Sequence, residues 1–357
     1  MIRVAVLSPG FDSPNGAAFL FPLIKFSNTL RDFGVSLSIF NKVDALPSEL
    51  DFLMVDGKYY KPKWATKEQE ILDEIALLSK RTRLIWCDQT DSSGTLLGQV
   101  LPYVHKYAKA QLISDRSMYL ETHYGARIYC DYYHRKYGVL DTEPFCSQPV
   151  VDPQNLSKLV VSWNSGLMHY GWLRPYLMVL YTKLNTAKFL QFSKNFTSPS
   201  HVRQLDFCCR MGIPYSRETV CFQRQRLKAL LADQLPTDKL SRRAYLQEMR
   251  NSKLTISPFG YGEITLKDFE CFLAGSALVK PDMSMFETWP NFYQKDVTYA
   301  AHSWDVDDVL EVIQGLLDHP KQALSIAEAG QNVYRQYTVS SEAPSLFAEQ
   351  LLSLLVS

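Results

Sequence analysis

The sequence lacks any Cys-x-x-Cys pair, and its seven cysteines (Cys87, Cys130, Cys146, Cys208, Cys209, Cys221, Cys271) are odd in number and irregularly spaced. That pattern argues against a disulfide framework and a structural zinc site, and for reduced thiols in a cytoplasmic compartment. No run reaches the ~18 consecutive apolar residues of a membrane span, so only a peripheral membrane association is left open. Charge of one sign is missing too. The 38 Lys and Arg against 37 Asp and Glu give a formal net charge of +1, so no nucleic-acid partner is expected. The glycines at 10 and 16 do not have the Gly-x-Gly-x-x-Gly spacing of a dinucleotide fingerprint, so no redox cofactor is expected. The run Asp88-Gln89-Thr90-Asp91 is not an Asp-x-Asp motif, so no metal site is read there. The opening residues 1–14 are broken too early for a signal peptide and read as a strand and loop.

What is present is an ordinary globular composition, 46% apolar and 21% charged, in 357 residues. That length exceeds what one hydrophobic core usually serves, so two domains are expected. Aromatic residues make up 13%. A dense core and a carbohydrate-facing surface both fit that share.

Strand, glycine loop, helix and strand follow one another at residues 2–7, 10–16, 17–33 and 35–40. This is the signature of a parallel α/β sheet. Further strands are expected at 51–55, 83–87, 111–114 and 126–133, and a helix at 66–80 with Thr66 as N-cap. The proline-bearing stretch 141–155 reads as a linker. A second α/β pattern then opens with a strand at 158–163, a glycine turn at 164–171 and a helix at 173–184. A strand at 188–192 and helices at 201–211, 223–231 and 242–250 are expected next. The expected division is an N-terminal Rossmann-like domain over 1–150, a second Rossmann-like domain over 156–340 and a C-terminal helix over 341–357. Two such sheets leave a cleft between their carboxyl ends, lined by residues 10–16, 88–94, 164–171 and 258–263.

One stretch organises the rest: SPFGYGEITLKDFECFLAGSALVKPDM, residues 257–283. It reads as the end of a strand, a Gly260-Tyr261-Gly262 turn, a helix over 264–274 and a strand over 277–280. Such a turn aims backbone N–H groups and the positive end of a helix dipole at one spot, which suits a phosphate. Glu263, Lys267 and Glu270 share one helix face. That stripe is either a solvated edge or an edge that faces a ligand.

The same stretch resembles the donor-binding core of GT-B glycosyltransferases of the group-1-like clan. The residues that carry the resemblance are the glycine turn, the helix with Glu270, the Ala274-Gly275 pair and the following strand. Trp304 to Asp308 and Ala327 to Gly330 look like the family's closing helices. The implied fold is α/β, two Rossmann-like parallel-sheet domains facing each other across a cleft. The implied activity is transfer of a sugar from a nucleotide-sugar donor to a glycan or other hydroxyl acceptor, as in surface polysaccharide synthesis. No cofactor beyond that co-substrate, and no metal, is implied. By resemblance, Gly260, Gly262, Lys267 and Glu270 lie on the donor. The family's retaining members carry two glutamates eight apart, but the residue eight before Glu270 is Gly262, and Glu263 is one position off.

Without a metal, the departing phosphate needs backbone N–H groups and cations. Arg224 is a donor-side candidate, with Arg217 and Arg226 as further ones, and His169 is either a phosphate ligand or an ordinary satisfied histidine. An inverting reaction needs a base, for which Asp88 and Asp91 are the candidates, each also readable as a turn or cap residue. Glu263 is a third catalytic candidate, and Asp12, Asn15 and Gly16 form the expected acceptor-side loop. A nucleotide-sugar epimerase or hydrolase, and a non-catalytic nucleotide-sugar-binding partner, remain open on the same residues.

Overall fold

A computed structural model describes residues 1–171, 173–184 and 186–356. The first half begins with β1 (Ile2–Leu7), α1 (Pro14–Lys25), α2 (Ser27–Asp32), β2 (Val35–Phe40), β3 (Phe52–Asp56), α3 (Lys61–Ser79) and β4 (Arg83–Asp88). It continues with β5 (Lys106–Lys109), β6 (Gln111–Ile113), α4 (Ile128–Tyr137) and β7 (Leu159–Val161). Six strands form one parallel sheet in the order β2-β1-β3-β4-β5-β7. Central strands covered on both faces read as continuous apolar runs, as Phe52–Asp56 does.

The second half contains α5 (Arg174–Leu184), β8 (Leu205–Cys208), α6 (Glu218–Leu231), α7 (Arg242–Asn251), β9 (Ser252–Ile256), α8 (Leu266–Ala274) and β10 (Ala277–Pro281). Then come β11 (Phe286–Thr288), β12 (Ala300–His302), α9 (Val309–Asp318), α10 (Pro320–Thr338) and α11 (Ala343–Val356). Four of its strands form a second parallel sheet in the order β12-β10-β9-β8.

A strand pairing and a returning helix are among the links that join the halves. Strand β6 of the first half pairs antiparallel with β11 of the second. Helix α11 returns to the first sheet, where Gln350 donates to the carbonyls of Val161 and Ser162, each at 3.0 Å. Phe347 on the same helix packs against Phe26 and Trp163.

Several elements differ from expectation. Residues 126–133 do not form a strand; α4 covers most of them and ends at Gly138 in the left-handed region, φ 66°. Its Ile and Tyr content favours strands, but Tyr129 and Tyr133 fall on one buried helical face. Residues 201–211 carry the strand β8 rather than a helix. The stretch 188–192 holds the end of a short 3-10 turn, Ala187–Phe189, instead of a strand. The strand expected to open the second sheet is β7, which instead closes the first beside β5. Strand β5 carries no apolar signal, because Lys-Tyr-Ala-Lys does not look like a buried strand until Lys109 meets Asp88. The long helix expected over 17–33 is two helices meeting at Phe26, and α3 begins a turn before Thr66.

Candidate active site

Helix α1 starts at the cleft because Ser13 caps it, accepting from the Gly16 N–H at 3.1 Å, with Pro14 in the first turn. This carries Asn15 to the loop after β4, where its side chain donates to the Gln89 carbonyl at 3.1 Å and to the Asp91 carboxylate. Across the cleft, α8 begins with a capping box in which Thr265 and Asp268 satisfy each other's backbone. Asp268 also receives the Tyr293 hydroxyl at 2.8 Å and pairs with fully buried Lys280 at 3.1 Å. That buried knot holds the turn in front of it.

The two halves enclose a cavity of about 470 Å³. The first half contributes Asn15, Lys58, Gln89, Thr90, Asp91 and Gln111, and the second Tyr215, Arg224, Gly260, Tyr261, Gly262 and Thr265. Asp91 is the one carboxylate of that lining, facing the two cations Lys58 and Arg224.

Arg224 is 8% exposed. It donates from Nε to the Phe259 carbonyl at 2.6 Å and from Nη1 to the Gly212 carbonyl at 2.9 Å, and it lies over the Tyr215 ring. Among the described residues no carboxylate pairs with it. Burial lowers the pKa of its guanidinium. A buried cation held by carbonyls at a cavity wall is a ready site for an anion. A Cβ at Gly260 would sit 3.5 Å from Arg224 Nη2, so the turn passes directly by the guanidinium.

The other expected residues are placed as follows. Gly262 meets the Asp91 backbone so closely that a Cβ there would overlap the Asp91 carbonyl. Glu263 is fully buried and points at the first half, accepting from the Ser93 N–H and hydroxyl, both at 3.0 Å, and from the Ser92 hydroxyl at 3.3 Å. It is not part of the cavity wall. The Lys267 ammonium turns inward to the Arg210 carbonyl at 2.5 Å, and burial lowers its pKa. Glu270 accepts from Arg242 at 2.9 Å and from the Tyr245 hydroxyl at 3.1 Å. The charged stripe is therefore no solvated edge: Glu263 and Glu270 are both buried. His169 is buried with Nδ1 against the Gln191 carbonyl at 2.6 Å. Arg217 lies over the Phe145 ring and Arg226 pairs with Asp307, both outside the cavity lining. Gly16 is buried in α1, and Asp12 is exposed beside a neighbouring hollow.

Asp88 and Asp91 part company. Asp88 receives the Lys109 ammonium, the Tyr107 hydroxyl and the Thr90 N–H, each at 2.8 Å. Burial alone would raise its pKa, but the Lys109 charge and these hydrogen bonds outweigh it and hold the carboxyl below the ordinary range. Asp88 thus anchors the loop that presents Asp91. Sequence reasoning missed two groups near the first sheet's carboxyl edge: Lys58 and Asp56. Burial pushes the Asp56 carboxyl up to about 6, against the Lys58 N–H at 3.0 Å and the Ser8 hydroxyl at 2.8 Å. Both lie at the end of β3, as Asp88 and Asp91 lie at the end of β4, so strand ends were the available signal.

Two parallel sheets thus face one cleft with their carboxyl ends, and the last helix crosses back to the first sheet. The fold is GT-B. No protein-family profile matches the chain, and no curated protein matches it. Solved structures similar to it include HepE of Anabaena, crystallised with UDP-glucose, at 12% identity over 99% of this chain and 100% of that one, TM-score 0.42. Sucrose-phosphate synthase of Thermosynechococcus elongatus is similar at 10% identity over 99% of each chain, TM-score 0.47. A glycosyltransferase of Rickettsia africae is similar at 9% identity over 99% and 97%, TM-score 0.45. The GT-B assignment of this chain rests on its own sheets and cleft. Within that cleft the wall from the second half carries the cation Arg224, and the wall from the first half carries Asp91 together with Lys58.

Proposed function

We propose that the protein is a glycosyltransferase that moves a sugar from a nucleotide-sugar donor to an acceptor hydroxyl. The observation that carries this reading is Arg224, a buried guanidinium without a carboxylate partner among the described residues, at the wall of the cavity that Asp91 shares. Arg224, with the turn at Gly260 and Gly262 and the start of α8, binds the donor diphosphate. No metal is needed in this reading, because the cation and the backbone neutralise the leaving group. Lys267 and Glu270 brace the donor wall from behind, and Glu263 clasps it to the first half.

On the opposite wall Asp91 takes the proton from the acceptor hydroxyl as that oxygen bonds to the anomeric carbon. The bond from that carbon to the diphosphate breaks, and the nucleoside diphosphate leaves with its electron pair. This is single displacement with inversion. Asn15 holds the Asp91 carboxylate, and the loop at Asp12 to Gly16 borders the acceptor, a glycan or similar hydroxyl compound. The chain requires no cofactor other than its nucleotide-sugar co-substrate.

The test is a calorimetric and thermal-shift panel of nucleosides, nucleoside diphosphates and nucleotide sugars on the wild type and Arg224→Met. A ligand that binds only the folded state raises its melting temperature by mass action. Expected is stabilisation by one diphosphate-bearing class and its loss in the variant. Absence of binding by every nucleotide would sink the proposal.

A further inference from the structure

Between Asp152 and Asp206 the sequence has no acidic residue but six lysines and arginines, in a chain whose whole formal charge is +1. Helix α5 lies in the middle of this stretch. Its outward face is apolar: Val179 is 52% exposed, Leu180 39% and Leu184 57%, with Leu173 just before the helix at 40%. At helical spacing these side chains share one face, and exposed Lys183 lies among them. Lys188 follows one turn beyond. Among the described residues neither lysine is paired with a carboxylate.

An apolar helix face normally turns toward the core. In α5 the inner face is used as well: the Tyr181 ring lies 4.6 Å from that of Phe11. A stripe of leucine and valine aimed at solvent, within a stretch free of acids, matches a partner that is apolar inside and anionic at its surface. We infer that α5 docks the protein on an anionic lipid bilayer, with its leucines and valine in the acyl boundary and Lys183 and Lys188 at the headgroups.

The position of α5 gives the docking a consequence. Met178 lines a hollow of about 350 Å³ with Phe11, Asp12 and Ser13, and this hollow shares Ser13 and Pro14 with the main cleft. A bilayer on the outward face of α5 therefore lies one helix away from the loop assigned above to the acceptor, which packs on the inner face. This step alone rests on the transferase reading, and it makes the acceptor a hydroxyl compound carried on lipid.

Co-sedimentation of the full chain is measured with phosphatidylcholine vesicles, pure or with about 30% phosphatidylglycerol, at low and high salt, without nucleotide. Expected is binding to the anionic vesicles that weakens with salt. Val179→Ser/Leu184→Ser should reduce it about tenfold or more while leaving thermal stability unchanged. Lys183→Gln/Lys188→Gln should reduce it with the anionic vesicles only, by about fivefold per lysine. Equal binding to both vesicles, no binding, or an apolar double variant that binds as the wild type overturns the inference. So does a concentration-dependent dimer that this variant abolishes, because the face would then belong to a second copy. Nucleotide binding is assayed without vesicles, so failure here leaves the transferase reading standing, and the reverse.

Discussion

The carboxylate of Glu263 accepts the backbone N–H of Ser93 at 3.0 Å, across 170 positions of sequence. Gly262 permits this, because its missing side chain lets the turn touch the Asp91 carbonyl. Tyr129 and Arg127 complete the clasp, donating to the carbonyls of Gly260 at 2.7 Å and Tyr261 at 2.6 Å. The turn at Gly260 to Gly262 is thus held in place by the first half.

Glu263→Ala leaves a buried N–H and two hydroxyls without their acceptor. We predict a loss of about 2–4 kcal/mol in folding stability, measured by urea denaturation. Glu263→Gln keeps an acceptor and should lose less. If Glu263→Ala unfolds at the wild-type urea midpoint, the clasp contributes nothing to the fold.

Arg224→Met should weaken binding of a nucleoside diphosphate about 100-fold by calorimetry, since a charge-assisted contact to phosphate is lost. The matching nucleoside, which has no phosphate, should bind equally to both proteins. Stability should change little, because removal of a buried cation is offset by the Phe259 and Gly212 carbonyls losing their donor. Equal loss for nucleoside and diphosphate would place Arg224 elsewhere than on the phosphates.

The two aspartates at the end of β4 predict opposite phenotypes. Asp91→Asn should cut kcat by roughly a hundred- to ten-thousand-fold with nucleotide affinity unchanged. Asp88→Asn strands the fully buried Lys109 and should destabilise the fold by about 3–5 kcal/mol. Glycosyl-transfer kinetics and denaturation on both variants check this. A folded Asp91→Asn enzyme with full kcat removes the base.

Two buried groups oppose each other in mild acid. The Asp56 carboxyl is raised to about 6 by burial, so between its unfolded value of 3.8 and about 6 the folded state binds more proton. Its contribution to stability therefore falls as pH rises through that window. Burial lowers His302 from 6.5 to about 4, so there the unfolded state binds more proton and stability rises with pH. We predict a nearly flat profile for these two groups together. Against the wild type, Asp56→Asn should gain stability as pH rises from 4 to 6, and His302→Asn should lose it. Denaturation midpoints across that range supply the measurement, and two parallel curves would refute the assignment.

Residues 252 to 281 are legible from local pattern alone. A β-rich run, a glycine turn, an amphipathic helix ended by Gly275 and another apolar run follow one another there, and they appear as β9, α8 and β10. Local chemistry also set the start of the chain, where Val35–Phe40 answers Ile2–Leu7 in register, and the Ser241 cap of α7. What the sequence did not determine depended on partners distant in the chain. Strand β5 contains lysines that become tolerable only when Lys109 reaches Asp88, and β7 joins the first sheet through β5. Spacing put Glu263, Lys267 and Glu270 on one face, but it could not say what that face would meet. Tertiary contacts sent them to Ser93, the Arg210 carbonyl and Arg242. They left Arg224 and Asp91 at the cavity. Periodicity reports which side a residue takes on its own element, whereas a charge in low dielectric is placed by whichever partner satisfies it.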